Sequence, residues 1–187
     1  TLALLYAQEY PSRVLSFILR NVFLARRADV KWLDHGLKKV FPDYWQDFVK
    51  LIPDAEQEHI IDAYYKRLVG DDDVLRMAAA KSYVAFESKC ATLNPSPRYV
   101  EQSQDPFFAK ALARISCHYF MNNYFIEDNL ILNNIHKINH IPAIIVHGRY
   151  DIICPIENAW DLHKEWPLSE LYIIRNAGHA ANEPAMI

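Results

Sequence analysis

The sequence predicts an α/β fold with a block of helices inserted into a parallel sheet. Three observations carry this. A helical stretch at the start runs into a β-branched and aromatic stretch. A strand–helix–strand pattern closes the chain. Between them about 100 residues contain no convincing strand. A helix packed on a strand within a few residues is the grammar of layered α/β proteins. An insertion between two parts of one sheet belongs over the C-terminal strand ends, where open sheets place their sites.

The elements are taken in chain order. Residues 2–9, LALLYAQE, are good helix formers, and Pro11 ends the run. VLSFILRNVFL, residues 14–24, then reads as a buried strand. From residue 28 onward WLDHGLKKVF, PDYWQDFVKLI, DAEQEHIIDAYYKRLVG, DDVLRMAAAKSYVAFES and DPFFAKALARISCHYF each read as helix. In the third, Asp54 and Gln57 have the spacing of a capping box. Ile61, Tyr64 and Leu68 of the same segment share a helical face. LNPSPRYVEQSQDP is rich in Pro and Ser and reads as loop. Strand grammar returns in IPAIIVHG, residues 141–148, with the helix IENAWDLHKEW and the strand ELYIIRN after it. The expected organisation is a core of residues 1–27 and 138–187 around a helical cap of residues 28–137.

Composition narrows the function classes. The 187 residues are 51% hydrophobic and 23% charged, as in an ordinary globular protein. A net charge of −3 argues against a general binder of nucleic acid. No apolar run is long enough to span a bilayer. Three cysteines, Cys90, Cys117 and Cys154, cannot all pair and show no C-x-x-C spacing, which favours reduced thiols and a cytoplasmic setting. Only four glycines occur, against a usual ~7%. Two of them, Gly148 and Gly178, flank the residues with most chemical potential.

Those residues are Asp151 and His179. Asp151 lies just past the strand ending at His147-Gly148, and His179 just past the next strand. Parallel strands joined by one helix bring both loops to the same sheet edge. A carboxylate there can hold the imidazole Nδ1–H and stabilise the imidazolium. The order acid then histidine is that of the α/β-hydrolase fold, where a serine on a sharp strand-to-helix turn precedes both. The opening helix and strand match the elements that come after such a turn, so the nucleophile is expected immediately before Thr1. Metal chemistry is not indicated. His136 and His140 are four apart, but Pro142 and the adjoining strand start disfavour a regular helix, and no acid completes a set. Asp71, Asp72 and Asp73 lack the alternating ligand spacing of a calcium loop and suit a solvent-facing helix N-terminus.

The motifs HGRYDIICPIENAWDLHKEWP and AGHAANEP closely resemble the C-terminal part of the proline iminopeptidases of the α/β-hydrolase superfamily. FPDYWQDFVKLIP, AAAKSYVAFE and ARISCHYF extend the resemblance through the chain, in family order. The resemblance implies an α/β-hydrolase core with a helical cap and a serine hydrolase that releases N-terminal proline from peptides. It maps the triad acid to Asp151 and the triad base to His179. The family's G-G-S-W-G-S elbow and H-G-G-P-G oxyanion loop would lie upstream of Thr1. It maps one of two amine-binding glutamates to Glu87 in VAFESK. The other should fall in A-R-I-E-N-H-Y-F, but here Ser116 stands in its place and Cys117 replaces the next Asn. Phe23 and Phe120 are implied to wall the proline ring.

The expected substrate is thus a peptide with N-terminal proline, with no cofactor, metal, nucleic acid or membrane partner. The same fold serves esterases, amidases and epoxide hydrolases, and a noncatalytic hydrolase-like binding protein is a further alternative. Residues 1–187 alone are expected to be inactive. An exposed strand edge favours pairing with a second chain and hence a homo-oligomer.

Overall fold

The computed structural model describes residues 1–94 and 96–187. These residues form two compact units. The first comprises Thr1–Asp29, Ala91–Leu93 and Glu127–Ile187; the second comprises Val30–Cys90 and Asn94–Ile126.

The first unit is built on a three-stranded parallel sheet in the order β1 (Phe17–Arg20), β2 (Ala143–Gly148), β3 (Ser169–Ile174). Phe17 pairs with Ala143 and Arg20 with Val146; Ala143 pairs with Ser169 and Gly148 with Ile174. The strand expected over 14–24 is therefore four residues long. Asn21 ends it by turning to φ 50°, a left-handed conformation that Asn tolerates better than most side chains.

Helix α1 (Leu2–Glu9) lays Leu4 and Ala7 into a core with Phe17, Ala143 and Ile145 from the strands. Ile131, Ile135, Ile138, Ala159, Leu162 and Trp166 complete it. Trp166 meets Phe17 edge-on at 5.1 Å, and its indole N–H donates to the Ile141 carbonyl at 2.9 Å. That bond removes the cost of burying the one polar atom of the largest core side chain. Alternation along the strands leaves Ile18, Ile144 and Tyr172 exposed on the opposite face.

The second unit is helical, with no strand among its described residues. A segment Arg27–Val40, beginning in the first unit, winds as α2 (Arg27–Lys31), a π-helical turn (Trp32–Gly36) and α3 (Leu37–Val40). Beyond it come α4 (Pro42–Val49), α5 (Ile60–Val69), α6 (Asp73–Cys90), α7 (Pro97–Ser103) and α8 (Pro106–Met121). The chain then returns to the first unit, which holds α9 (Leu130–Asn133) and α10 (Glu157–Lys164). α5, α6 and α8 pack on one another. Their core is aromatic: Phe48 stacks on Tyr64 at 4.5 Å and on Phe86 at 4.3 Å. The Tyr64 hydroxyl donates to the Phe48 carbonyl at 2.5 Å.

Capping explains where α6 and α8 begin. The Asp72 carboxylate accepts the N–H groups of Val74 and Leu75, both at 2.9 Å, and Asp105 accepts that of Phe108 at 2.7 Å. Two local expectations are corrected. The Pro- and Ser-rich segment holds α7, because Pro97 sits in the first turn, where its missing N–H costs nothing. Asp54 and Gln57 form no capping box. Asp54 opens a 3-10 turn after Pro53, and the Gln57 amide donates to the Asp54 side chain and to the Ile52 carbonyl. On α5, Ile60, Ala63, Tyr64 and Leu68 are buried, while Ile61 is only half-buried.

Candidate active site

All three strands are parallel, so their C-terminal ends share one edge, and three loops converge there. The β1 loop brings Asn21 and Val22, the β2 loop Asp151, and the β3 loop His179. Two glycines permit close packing at this edge, Gly148 between the β2 and β3 loops and Gly178 against the segment Ala91–Leu93. A Cβ on Gly148 would stand 2.1 Å from the Gly178 carbonyl oxygen and 2.7 Å from that of Ala177. One on Gly178 would stand 3.0 Å from the Leu93 nitrogen. The Tyr150 N–H donates to the Ala177 carbonyl at 3.0 Å and the Arg149 N–H to Ile174 at 2.9 Å, tying the β2 loop to the β3 loop backbone to backbone.

Within this frame the His179 Nδ1 lies 3.0 Å from Asp151 Oδ2 and 3.2 Å from Oδ1. Asp151 is buried, and the His179 side chain keeps 29% of its surface exposed. An aspartate in this setting accepts the Nδ1–H and leaves Nε2 as the imidazole's proton acceptor. Asp151 is itself fixed, since its Oδ1 accepts the Cys154 N–H at 2.8 Å.

The backbone of His179 is held as firmly as its ring. Its N–H and that of Ala180 donate to the Ala91 carbonyl at 2.9 and 2.8 Å. The Glu183 carboxylate accepts the Gly178 N–H at 2.8 Å and the Leu93 N–H at 3.1 Å. The Asn21 amide donates to the His179 carbonyl. Behind Asp151 lies the buried imidazole of His147, 3.3 Å from Asp151 Oδ2. Sequence reasoning does not reach Asn21, His147 or Glu183. The only available signals are the His immediately before Gly148 and the acid four residues after His179, and neither has a spacing that implies chemistry.

Of the remaining candidates, Phe23 lies in the same β1 loop as Asn21 and Val22, and Glu87, Ser116 and Phe120 lie in the helical unit. Phe23, half-buried in the β1 loop, accepts the Thr1 hydroxyl on its carbonyl at 2.6 Å. Glu87 is half-buried near the end of α6, in the helical unit. Its negative charge raises the pKa of Tyr83, Cys90 and Cys117, each raised first by burial. Glu87 on α6 therefore shares its surroundings with Cys117 on α8, whose thiol is pushed up to about 12. Ser116 and Phe120 are half-buried on the same helix, and the Phe120 ring meets Tyr124 edge-on at 5.2 Å. His136 falls in a 3-10 turn, Ile135–Lys137, rather than on a regular helix. Among the described residues no three His, Cys, Asp or Glu cluster as metal ligands, and no helix is long and apolar enough to cross a membrane.

The model of the alpha/beta hydrolase fold family matches residues 1–185. The chain belongs to the alpha/beta hydrolase family. Within it, the chain is similar along its whole length to enzymes named proline iminopeptidase. It is 44% identical to that of Arabidopsis thaliana, 41% to that of Xylella fastidiosa Temecula1 and 39% to that of Neisseria meningitidis serogroup B, in each case over 100% of this chain. The chain spans 50% of the Arabidopsis protein's length and 60% of each bacterial one. The crystal structure of the lip1 protein from Acinetobacter baumannii AYE superposes with a TM-score of 0.52 at 16% identity, over 96% of this chain and 50% of that one, which bears on the fold alone.

Proposed function

We propose that this alpha/beta hydrolase chain supplies two members of a Ser-His-Asp triad to a serine aminopeptidase that releases N-terminal proline. The single observation carrying the reading is the pairing of the His179 ring with the buried Asp151 carboxylate at 3.0 Å. The serine is assigned to sequence preceding Thr1, at the end of the strand that leads into α1.

The chemistry follows from the pair. With Nδ1–H donated to Asp151, the His179 Nε2 lone pair takes the serine proton as the oxygen attacks the prolyl carbonyl. The imidazolium so formed is stabilised by the Asp151 charge and returns its proton to the leaving amine. Water then repeats the cycle on the acyl-enzyme. Glu87 is assigned to the substrate's terminal ammonium, and Phe23 and Phe120 to its pyrrolidine ring. These assignments rest on the motif match. Three buried cysteines outside any disulfide accord with a cytoplasmic enzyme.

Ser116 favours a second reading, an esterase or amidase with the same triad and looser demand for a terminal amine. A carboxylate binds an ammonium by a charge-assisted hydrogen bond, which a serine hydroxyl cannot match. The test uses the complete protein and chromogenic amides of proline, alanine and leucine, beside an ester lacking a free amine. Proline released well ahead of the others supports the aminopeptidase. Preference for the amine-free ester supports the second reading. Absence of labelling by a serine-directed phosphonate removes both.

A further inference from the structure

The buried imidazole of His147 has a fixed tautomer, and that fixes what it does. Its Nδ1 lies 3.1 Å from the Val22 nitrogen, in the β1 loop. A backbone N–H can only donate, so Nδ1 carries a lone pair and Nε2 carries the proton. Nε2 lies 2.8 Å from the Cys154 carbonyl oxygen, to which it donates, and 3.3 Å from Asp151 Oδ2. Cys154 in turn gives its N–H to Asp151 Oδ1 at 2.8 Å. The ring therefore ties the β1 loop to the turn that carries Asp151, and it places an N–H beside the carboxylate oxygen that receives His179.

We propose that His147 is a positioning residue for the proposed triad: through its Nε2–H it holds the Asp151–Cys154 turn and the Asp151 carboxylate in the orientation that receives His179. The inference rests on the triad reading above. A neutral ring suits the task, because a second positive charge on Asp151 would weaken its support of the His179 imidazolium. Burial lowers the His147 pKa, the Asp151 charge opposes this only in part, and His179 adds to the lowering.

Two isosteric replacements separate its two bonds. His147→Gln puts an amide N–H near the Nε2 position and gives up the acceptor for Val22. His147→Asn keeps an acceptor near Nδ1 and gives up the donor to the Cys154 carbonyl, and with it the N–H beside Asp151. In the complete protein, His147→Asn should lower kcat on a prolyl amide about tenfold or more, with KM little changed. His147→Gln should stay within about threefold of wild type. Equal loss in both variants, loss only in the Gln variant, or no loss in either overturns the proposal.

A measurement on the unmodified protein stands apart from folding of the variants and from substrate choice. Nitrogen-15 NMR of the complete protein should show His147 protonated on Nε2 and bare on Nδ1 across the active pH range. The opposite tautomer, or an imidazolium, overturns the positioning role. A protein that shows the expected tautomer but cleaves no prolyl amide instead overturns the aminopeptidase reading and leaves the placement of Asp151 intact.

Discussion

The sheet edge and the helix pair α6–α8 hold their candidate residues by different means. At the edge, Asp151 and His179 sit in a lattice of backbone bonds. Ala91, Ala177, Ile174, Cys154, Val22 and Gly178 all contribute main-chain groups. On the helices, Glu87, Ser116 and Phe120 project from regular backbone whose own hydrogen bonds are satisfied within each helix. A change at the edge disturbs the scaffold. A change on the helices alters only what the side chains present. This contrast accords with a departure from the resemblance at half-buried Ser116 while HGRYD and AGH stay whole.

The sharpest way to break the comparison is to remove charge at the edge without removing shape. Asp151→Asn keeps a side chain that can accept the Cys154 N–H but also offers an N–H toward His179, favouring the wrong imidazole tautomer. In the complete protein kcat should fall by about 10⁴-fold with little change in KM. A loss of only a few fold would remove Asp151 from the triad.

Glycine offers the next test, on stability. At Gly148 an added methyl meets two backbone carbonyl oxygens, which cannot rotate aside, so the loops must part. Gly148→Ala should destabilise the protein by about 1–3 kcal/mol in urea titration and lower kcat as His179 withdraws. Gly70, in the helical unit, has φ −68° and ψ 171°, and its added Cβ would meet the Lys66 carbonyl at 3.2 Å. The strain there is slight and is offset by reduced freedom of the unfolded chain, so Gly70→Ala should stay within ~0.5 kcal/mol of wild type. Equal effects at the two glycines would show that the edge is not the more constrained region.

The same contrast accounts for how much can be read from the sequence. Parallel strands impose a shared edge, so an Asp three residues past β2 and a His five past β3 must be neighbours once the strands are recognised. The residues that steady them are not legible, because their bonds join points distant in the chain. Val22 to His147 spans 125 residues and Leu93 to Glu183 spans 90. α6 and α8 are legible as helical stretches without any cap being read from the sequence, whereas the one capping box expected, Asp54 with Gln57, does not form. α7 escapes notice because Pro and Ser signal a loop and a helix start alike. The β1 segment reads too long, since an apolar run does not show where Asn21 turns the backbone.

The smallest expected effect on catalysis is also the one that bears most on specificity. Ser116→Glu would place a carboxylate on α8 to accompany Glu87 of α6, and regular helix backbone should accept it without rearrangement. If Glu87 binds the substrate ammonium, the added acid should lower KM for prolyl amides by up to about tenfold, with kcat nearly constant. Ser116→Gln, similar in size but neutral, should give little of that gain. Two nearby carboxylates repel, so one of them binds a proton more readily than an isolated glutamate. The gain should therefore shrink as pH falls toward the carboxylate range, whereas the wild type, with one acid, should change less. An unchanged KM at neutral pH in the glutamate variant would mean that α8 does not face the substrate's amine, and the mapping of Glu87 would lose its partner site.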